Sequence, residues 1–245
     1  MQKNKYRYLN IYYWLRKFSF SSFFQKTTFF LPEGVKRKFV FFTIYKSNHW
    51  RSYNEPNINE SVSGLGSDLK QNSVLVVQMQ KFIKEKKIKR VLDLACGDFN
   101  WMKYIIENNP NVDKYLGLDI VDNIIKNNKL KYENSKINFK INDIIKADYP
   151  ENFDLIFIRD VFIHIKNKEI ISVLNKLKKN SAKFVVIGTY HNIDINKDLN
   201  NYGHHRELNI EIAPFNLGKP FVFFSDNEKQ RSDRRLNIYK FNEKS

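Results

Sequence analysis

The sequence has almost no cysteine. Cys96 is the only one in 245 residues, so neither a disulfide framework nor a cysteine-built zinc site can form within one chain. A reducing compartment, the cytoplasm, is expected. The chain also lacks a run apolar enough to span a bilayer. Its aromatic start (Tyr6, Tyr8, Tyr12, Tyr13, Trp14, Phe18, Phe20, Phe23, Phe24, Phe29 and Phe30) is interrupted by Arg16, Lys17 and Lys26, too often for a membrane span. No clean apolar stretch there ends in small residues, so no signal peptide is expected. Acidic residues are short as well: 26 Asp and Glu face 42 Lys and Arg, a formal charge of +16. Such an excess suits a polyanion, whether nucleic acid, an anionic membrane or a phosphorylated substrate. The charge is nevertheless scattered over residues 36–38, 81–90, 126–131 and 176–183 and builds neither a tail nor an aromatic-basic module. Crowding of Lys, Asn, Ile, Phe and Tyr is also what an AT-rich genome produces.

What is present is a foldable α/β pattern. Hydrophobic residues make up 42 %, which excludes a disordered chain. The length suits one domain with an added segment. Residues 1–60 read as a basic aromatic extension, helical or irregular and without a long clean period, ending in a loop at 54–59 around Pro56, and residues 61–245 as the domain. The extension, through residues 1–46, is expected to dock on its own domain, on a partner subunit or on a membrane surface. Residues 61–67 (Ser-Val-Ser-Gly-Leu-Gly-Ser) form a small flexible turn, of which residues 63–67 are expected to fold over the ligand site as part of a lid. A helical pattern over 74–87 has apolar positions 75, 79, 82 and 83. Strands at 91–94, 115–119, 137–141, 153–158 and 184–189 then alternate with helices at 101–108, 121–132 and 168–179, the last with Ile170, Ile171, Leu174 and Leu177 on one face. Strands 221–224 and 236–239 form a closing hairpin. The prediction is a doubly wound, mostly parallel seven-stranded Rossmann-like sheet covered on both faces, with no internal repeat.

Ligands of such sheets sit at the carboxyl ends of the strands. The first strand is followed by Asp93-Leu94-Ala95-Cys96-Gly97-Asp98, where small residues let the backbone approach a ligand. Asp119, with Ile120 after it, ends the second strand 26 residues later, placed to accept hydrogen bonds from two ribose hydroxyls. Asn142-Asp143-Ile144 follows the third strand and can take the adenine amine and a ring nitrogen. The third glycine of a dinucleotide motif is absent, no Gly-Lys-Ser/Thr phosphate loop exists, and Asp98 would repel phosphate. An acidic site of this kind suits an adenosine with a cationic tail and no phosphate, as in S-adenosylmethionine (SAM).

These residues, together with Glu60–Ser67, Cys96-Gly97-Asp98-Phe99-Asn100-Trp101-Met102, Arg159-Asp160-Val161-Phe162-Ile163-His164, Arg206-Glu207-Leu208-Asn209 and Ala213-Pro214-Phe215, resemble class I SAM-dependent methyltransferases. More narrowly they resemble a bacterial subgroup associated with capsule and other surface-polysaccharide biosynthesis. The resemblance covers about residues 47–240. It implies that Asp93, Ala95 and Gly97 contact the methionine part of SAM, that Asp119 holds the ribose, and that Asp143 and Ile144 hold the adenine. Ala95 stands where many relatives carry glycine. Cys96, Ile120, Asn142 and Arg159 complete the candidate donor site.

Methyl transfer is an in-line displacement that needs an aligned acceptor and, for a hydroxyl, a base. Asp160 and His164 are the candidate base pair, four residues apart on one helical turn. The polar loop 190–209 supplies candidate acceptor ligands: His191, Asp194, His204, His205, Arg206 and Asn209, with Arg206 suited to a phosphate. The cluster of His164, His191, Asp194, His204 and His205 could hold a divalent metal, but its spacing matches no tight metal motif, so a metal is the less favoured reading. DNA acceptors are discounted, because no Asp/Asn-Pro-Pro-Tyr/Phe follows the fourth strand and no cysteine nucleophile stands there. The expectation is an O-methyltransferase acting on a sugar, a sugar nucleotide or a related capsule precursor. An RNA methyltransferase and a non-catalytic SAM-binding subunit are the alternatives.

Overall fold

The computed structural model describes residues 11–50, 61–226 and 233–241. The expected 54–59 loop, and also Tyr6, Tyr8 and Glu60, lie outside them. Seven strands, β1 (Arg90–Leu94), β2 (Lys114–Asp119), β3 (Ile137–Ile141), β4 (Leu155–Ile158), β5 (Phe184–Tyr190), β6 (Val222–Ser225) and β7 (Arg234–Tyr239), form one sheet in the order β3-β2-β1-β4-β5-β7-β6. The first five run parallel. The expected hairpin closes the sheet, with β7 inserted antiparallel between β5 and β6. The chain builds outward from β1 to β3, then returns to lay β4 on the other side of β1. The switch point, where a crevice opens at the strand ends, therefore lies between β1 and β4.

Alternation along the strands divides the core. Leu92, Leu94, Ile156 and Ile158 point into one cluster; Val91, Leu155 and Phe157 point into the other. Central strands buried on both faces read as near-continuous apolar runs. Helices α4 (Leu69–Glu85) and α5 (Met102–Glu107) cover the second face, and α6 (Asp122–Tyr132) and α7 (Asn167–Lys179) contribute to the first. Helix α4 begins five residues before the expected 74, because the Asp68 carboxylate caps it, accepting the Lys70 N–H at 2.8 Å. Helix α7 begins where the Glu169 carboxylate accepts the Lys166 N–H at 3.2 Å. It buries Ile170, Val173, Leu174 and Leu177. Ile171, expected on that face, is 36 % exposed.

The extension, expected to be helical or irregular, forms three helices among its described residues: α1 (Ile11–Ser19), α2 (Ser22–Thr27) and α3 (Glu33–Lys46). Helix α3 buries Lys36, Arg37 and Thr43 beside Val40, Phe41 and Ile44. Charged residues on its inward face erase the apolar period by which a helix is read. It packs against the carboxyl end of the sheet, where Arg37 meets Asp143 and Val40 and Ile44 meet Gly203.

Candidate functional site

A cleft with about 880 Å³ of empty space opens at the switch point. It gathers every residue expected to hold the donor: Asp93 near the end of β1 with Ala95, Cys96 and Gly97 after it, Asp119 at the end of β2 with Ile120 after it, Asn142, Asp143 and Ile144 after β3, and Arg159 after β4. Ala95 has φ +65°. The left-handed turn that glycine makes without strain is therefore kept here despite the methyl group. Asp119 accepts N–H groups from Gly97 (3.1 Å) and Val121 (2.9 Å), which binds the first two loops together. Asp93 accepts the Tyr115 hydroxyl at 2.7 Å.

Both carboxylates are buried, and this sets their charge. Burial pushes the Asp93 carboxyl up to about 7, the Tyr115 hydrogen bond opposing and Asp119 adding to the rise. Burial likewise lifts Asp119 to about 6 against its backbone hydrogen bonds. Two buried carboxyls whose surroundings oppose their charge favour a ligand that brings positive charge. This is the chemical demand that SAM meets, and the residues present fit it.

The 61–67 segment lies against this loop. Ser61 Oγ donates to Asp98, at 2.8 Å to Oδ2, and the Val62 N–H reaches the same oxygen at 2.8 Å. Asp98 N–H in turn reaches Ser63 Oγ at 3.0 Å. A Cβ on Gly97, which has φ +55°, would stand 2.5 Å from Ser63 Oγ. Asp98 thus anchors a strap whose Ser63 and Ser67 line the cleft. Arg159 holds the strap's other end: its guanidinium donates to the Gly66 carbonyl (2.6 Å), to Asn72 Oδ1 (2.8 Å) and to Asp226. Arg159 lines the donor cleft, but its hydrogen bonds go to protein.

The expected Asp160–His164 hydrogen bond is not formed. Asp160 accepts from Arg234 Nη2 at 2.6 and 2.5 Å. Burial would raise its carboxyl, but Arg234 and Arg159 hold it below the usual range. The physical reason is the fold: β7, remote in sequence, delivers a stronger partner than a neighbouring imidazole. His164 lies in a 3-10 turn, Phe162–His164. Its Nδ1 is 3.0 Å from the His204 carbonyl. A carbonyl only accepts, so Nδ1 carries the proton and Nε2 keeps its lone pair. No hydrogen bond from the described residues reaches Nε2. Trp50 stacks on the ring at 4.9 Å. Burial pushes His164 down to about 4, the His204 carbonyl opposing, so the ring is neutral at neutral pH.

A second cleft adjoins the first and shares Trp50, Ser63, Asp160 and His164 with it. Phe20, His49, Tyr190, His204 and His205 also line it. Of the expected acceptor ligands it takes only His204 and His205. Arg206, expected to bind an anion, donates instead to Lys197 O (2.8 Å), Phe162 O (2.8 Å) and Asn167 Oδ1 (2.6 Å). Asn209 holds the carbonyls of His191 and Ile193, His191 Nδ1 is 2.6 Å from the Asp233 carbonyl, and Asp194 is exposed. A long irregular loop must satisfy its own backbone, and these polar side chains do that. Among the described residues, no group of three or more His, Cys, Asp or Glu is placed to hold a metal ion.

Sequence spacing missed several wall residues, above all Arg37, Phe41 and Tyr45 from α3, Trp50, and Arg234 of the second cleft, which pairs with Asp226. Arg37 bridges Asp143, at 2.5 Å, and Glu169. Burial opposes its charge, but Glu169 and Asp143 hold it firmly protonated. The one legible signal was the density of aromatic and basic residues before position 50.

A family model described as a methyltransferase domain matches residues 85–225. Phosphoethanolamine N-methyltransferase of Plasmodium falciparum is 39 % identical over 89 residues, a match spanning 32 % of this chain and 31 % of that protein. Among solved structures, the methyltransferase domain of bacterial CtHen1-CN superposes with TM-score 0.53 at 14 % identity, over 69 % of this chain and 99 % of that one. Human N-acetylserotonin methyltransferase, solved with SAM, gives 0.53 at 11 % identity over 90 % and 59 %. The N-methyltransferase NodS of Bradyrhizobium japonicum gives 0.52 at 12 % over 71 % and 98 %. At these identities the likeness to solved structures is one of fold.

Proposed function

This chain belongs to the SAM-dependent methyltransferase-domain family, and we propose that it methylates a hydroxyl of a sugar-like acceptor seated in the second cleft. The observation that carries the reading is His164. It borders both clefts, is neutral, and keeps Nε2 free of hydrogen bonds from the described residues.

Bound SAM supplies an electrophilic methyl group on a sulfonium. Asp119 would accept from the ribose hydroxyls, Asp143 and the Ile144 N–H would hold the adenine, and Asp93 with the Ala95–Gly97 backbone would hold the methionine end. The strap anchored by Asp98 and Arg159 excludes water. His164 Nε2 accepts the acceptor's hydroxyl proton, and the His204 carbonyl fixes the tautomer that makes this possible. Asp160 positions the site through Arg234.

Phe20, Trp50 and Tyr190 give the second cleft apolar surface suited to the C–H face of a sugar ring, and His49, His204 and His205 give it polar contacts. With Arg206 engaged elsewhere, a neutral sugar or glycan end fits better than a sugar nucleotide. This agrees with the resemblance to the polysaccharide-associated subgroup. An amine acceptor is the second reading. It draws on the 39 % identity to an N-methyltransferase, and a neutral imidazole can also accept a hydrogen bond from an amine.

The test is SAM turnover across neutral sugars, sugar nucleotides, phosphoethanolamine and RNA. His164→Ala is expected to keep donor affinity within about twofold and to lower turnover at least about tenfold, at the low end of general-base contributions. Full activity of the variant removes the base role. Methylation of amines alone, or of RNA alone, overturns the hydroxyl assignment.

A further inference from the structure

We propose that the outward face of α1 and α2 docks the protein on an anionic lipid surface. Helix α1 is amphipathic in the inverted sense. The residues it buries are Tyr13, Arg16 and Ser19. Ser19 lies 3.4 Å from Thr43 of α3, and the Arg16 guanidinium rests over Tyr13 and Phe20. The apolar residues point out: Ile11 is 67 % exposed, Trp14 53 % and Phe18 40 %. Phe23 of α2, also exposed, adjoins Phe18 at 6.0 Å between ring centroids. Exposed Phe29 and Phe30 continue the aromatic surface just beyond α2. A surface helix of a water-soluble domain carries the opposite arrangement, and a contiguous apolar surface of this kind marks an interaction site.

Charge selects the partner. Residues 1–32 contain Lys3, Lys5, Arg7, Arg16, Lys17 and Lys26 and no Asp or Glu; Glu33 is the first acid. Aromatic and aliphatic side chains beside lysines, with no carboxylate to repel phosphate, suit the boundary between acyl chains and anionic headgroups. A protein groove would not require acids to be excluded. RNA would need an array of exposed cations, whereas among the described residues α1 and α2 expose Ile11, Trp14, Phe18 and Phe23 around the single lysine Lys17. Phe20, between α1 and α2, lines the second cleft, so the docked face and the acceptor entrance share one edge of the molecule.

The full chain is sedimented with phosphatidylcholine vesicles, either pure or containing about 30 % phosphatidylglycerol as the anionic lipid. Partitioning is expected to be at least about tenfold stronger on the anionic vesicles and to weaken with salt. A Trp14→Ser/Phe18→Ser/Phe23→Ser variant is expected to lose at least that factor, and Lys17→Glu a smaller one, with calorimetric SAM affinity unchanged in both. Equal partitioning on neutral vesicles, no partitioning, or full retention by the triple variant overturns the proposal. So does a self-association or an RNA gel shift that the triple variant abolishes, because that gives the face to a second copy or to RNA. No turnover is measured, so the result is independent of the methyl-transfer reading.

Discussion

Asp119 does two jobs in one position. It ties the β1 and β2 loops together through the Gly97 and Val121 N–H groups, and it lines the cleft proposed to hold the donor. Asp119→Ala is expected to weaken SAM binding at least about tenfold, the loss of a charge-assisted hydrogen bond or more, read by calorimetry. Unchanged affinity removes the ribose assignment. Gly97 offers a steric test of the strap. Gly97→Ala sets a Cβ 2.5 Å from Ser63 Oγ at φ +55°. It is expected to cost about 1–3 kcal/mol of stability through backbone strain and to lower SAM affinity as Ser63 moves away. A wild-type melting temperature and wild-type affinity would show that the strap is not closed on the loop.

At the level of elements, α3 is a wall of the donor cleft. Arg37 joins Asp143 of the β3 loop to Glu169, the residue that caps α7. Tyr202 donates to Glu169 at 2.6 Å and so draws the acceptor loop into the same network. Removing one member of a buried ion pair leaves an uncompensated charge and costs about 3–5 kcal/mol. Arg37→Ala is therefore expected to lower thermal stability by that amount and to weaken SAM binding, because Asp143 loses its orientation. A variant that melts lower but binds SAM as well as wild type would confine Arg37 to a structural role.

For the whole molecule, the buried acids set an unusual pH response. Asp93, at about 7, and Asp119, at about 6, take up protons in the folded state well above their ordinary value of 3.8. Between those values the folded state binds more protons than the unfolded chain, so these groups favour folding as pH falls. His164 acts oppositely. The unfolded chain charges it near 6.5, the folded state only near 4, so its contribution is lost as pH drops below 6.5. The two carboxyls outweigh the one histidine, so the melting temperature without donor is expected to rise from pH 8 to about 5, less steeply below about 6.5 than the carboxyls alone would give. SAM affinity is expected to drop over the same descent, because the carboxylates that favour its cationic tail become neutral. A SAM affinity that is flat from pH 8 to 6 would contradict the assignment of Asp93 and Asp119.

Composition and local pattern were enough to determine the sheet, its parallel order and the donor loops. Those loops are built from residues adjacent in sequence to strands such as Val91–Leu94, whose apolar runs declare themselves. Asp93, Asp119 and Asp143 are each legible because they stand at or just beyond the carboxyl end of a strand. Tertiary structure alone decided the partners. Arg234 arrives from the far end of the chain to claim Asp160, Arg206 turns inward to satisfy loop carbonyls, and α3 buries Arg37 over the cleft. None of these leaves a period or a motif, because a long-range ion pair is fixed by where the sheet and loops bring two side chains together, not by their spacing along the chain.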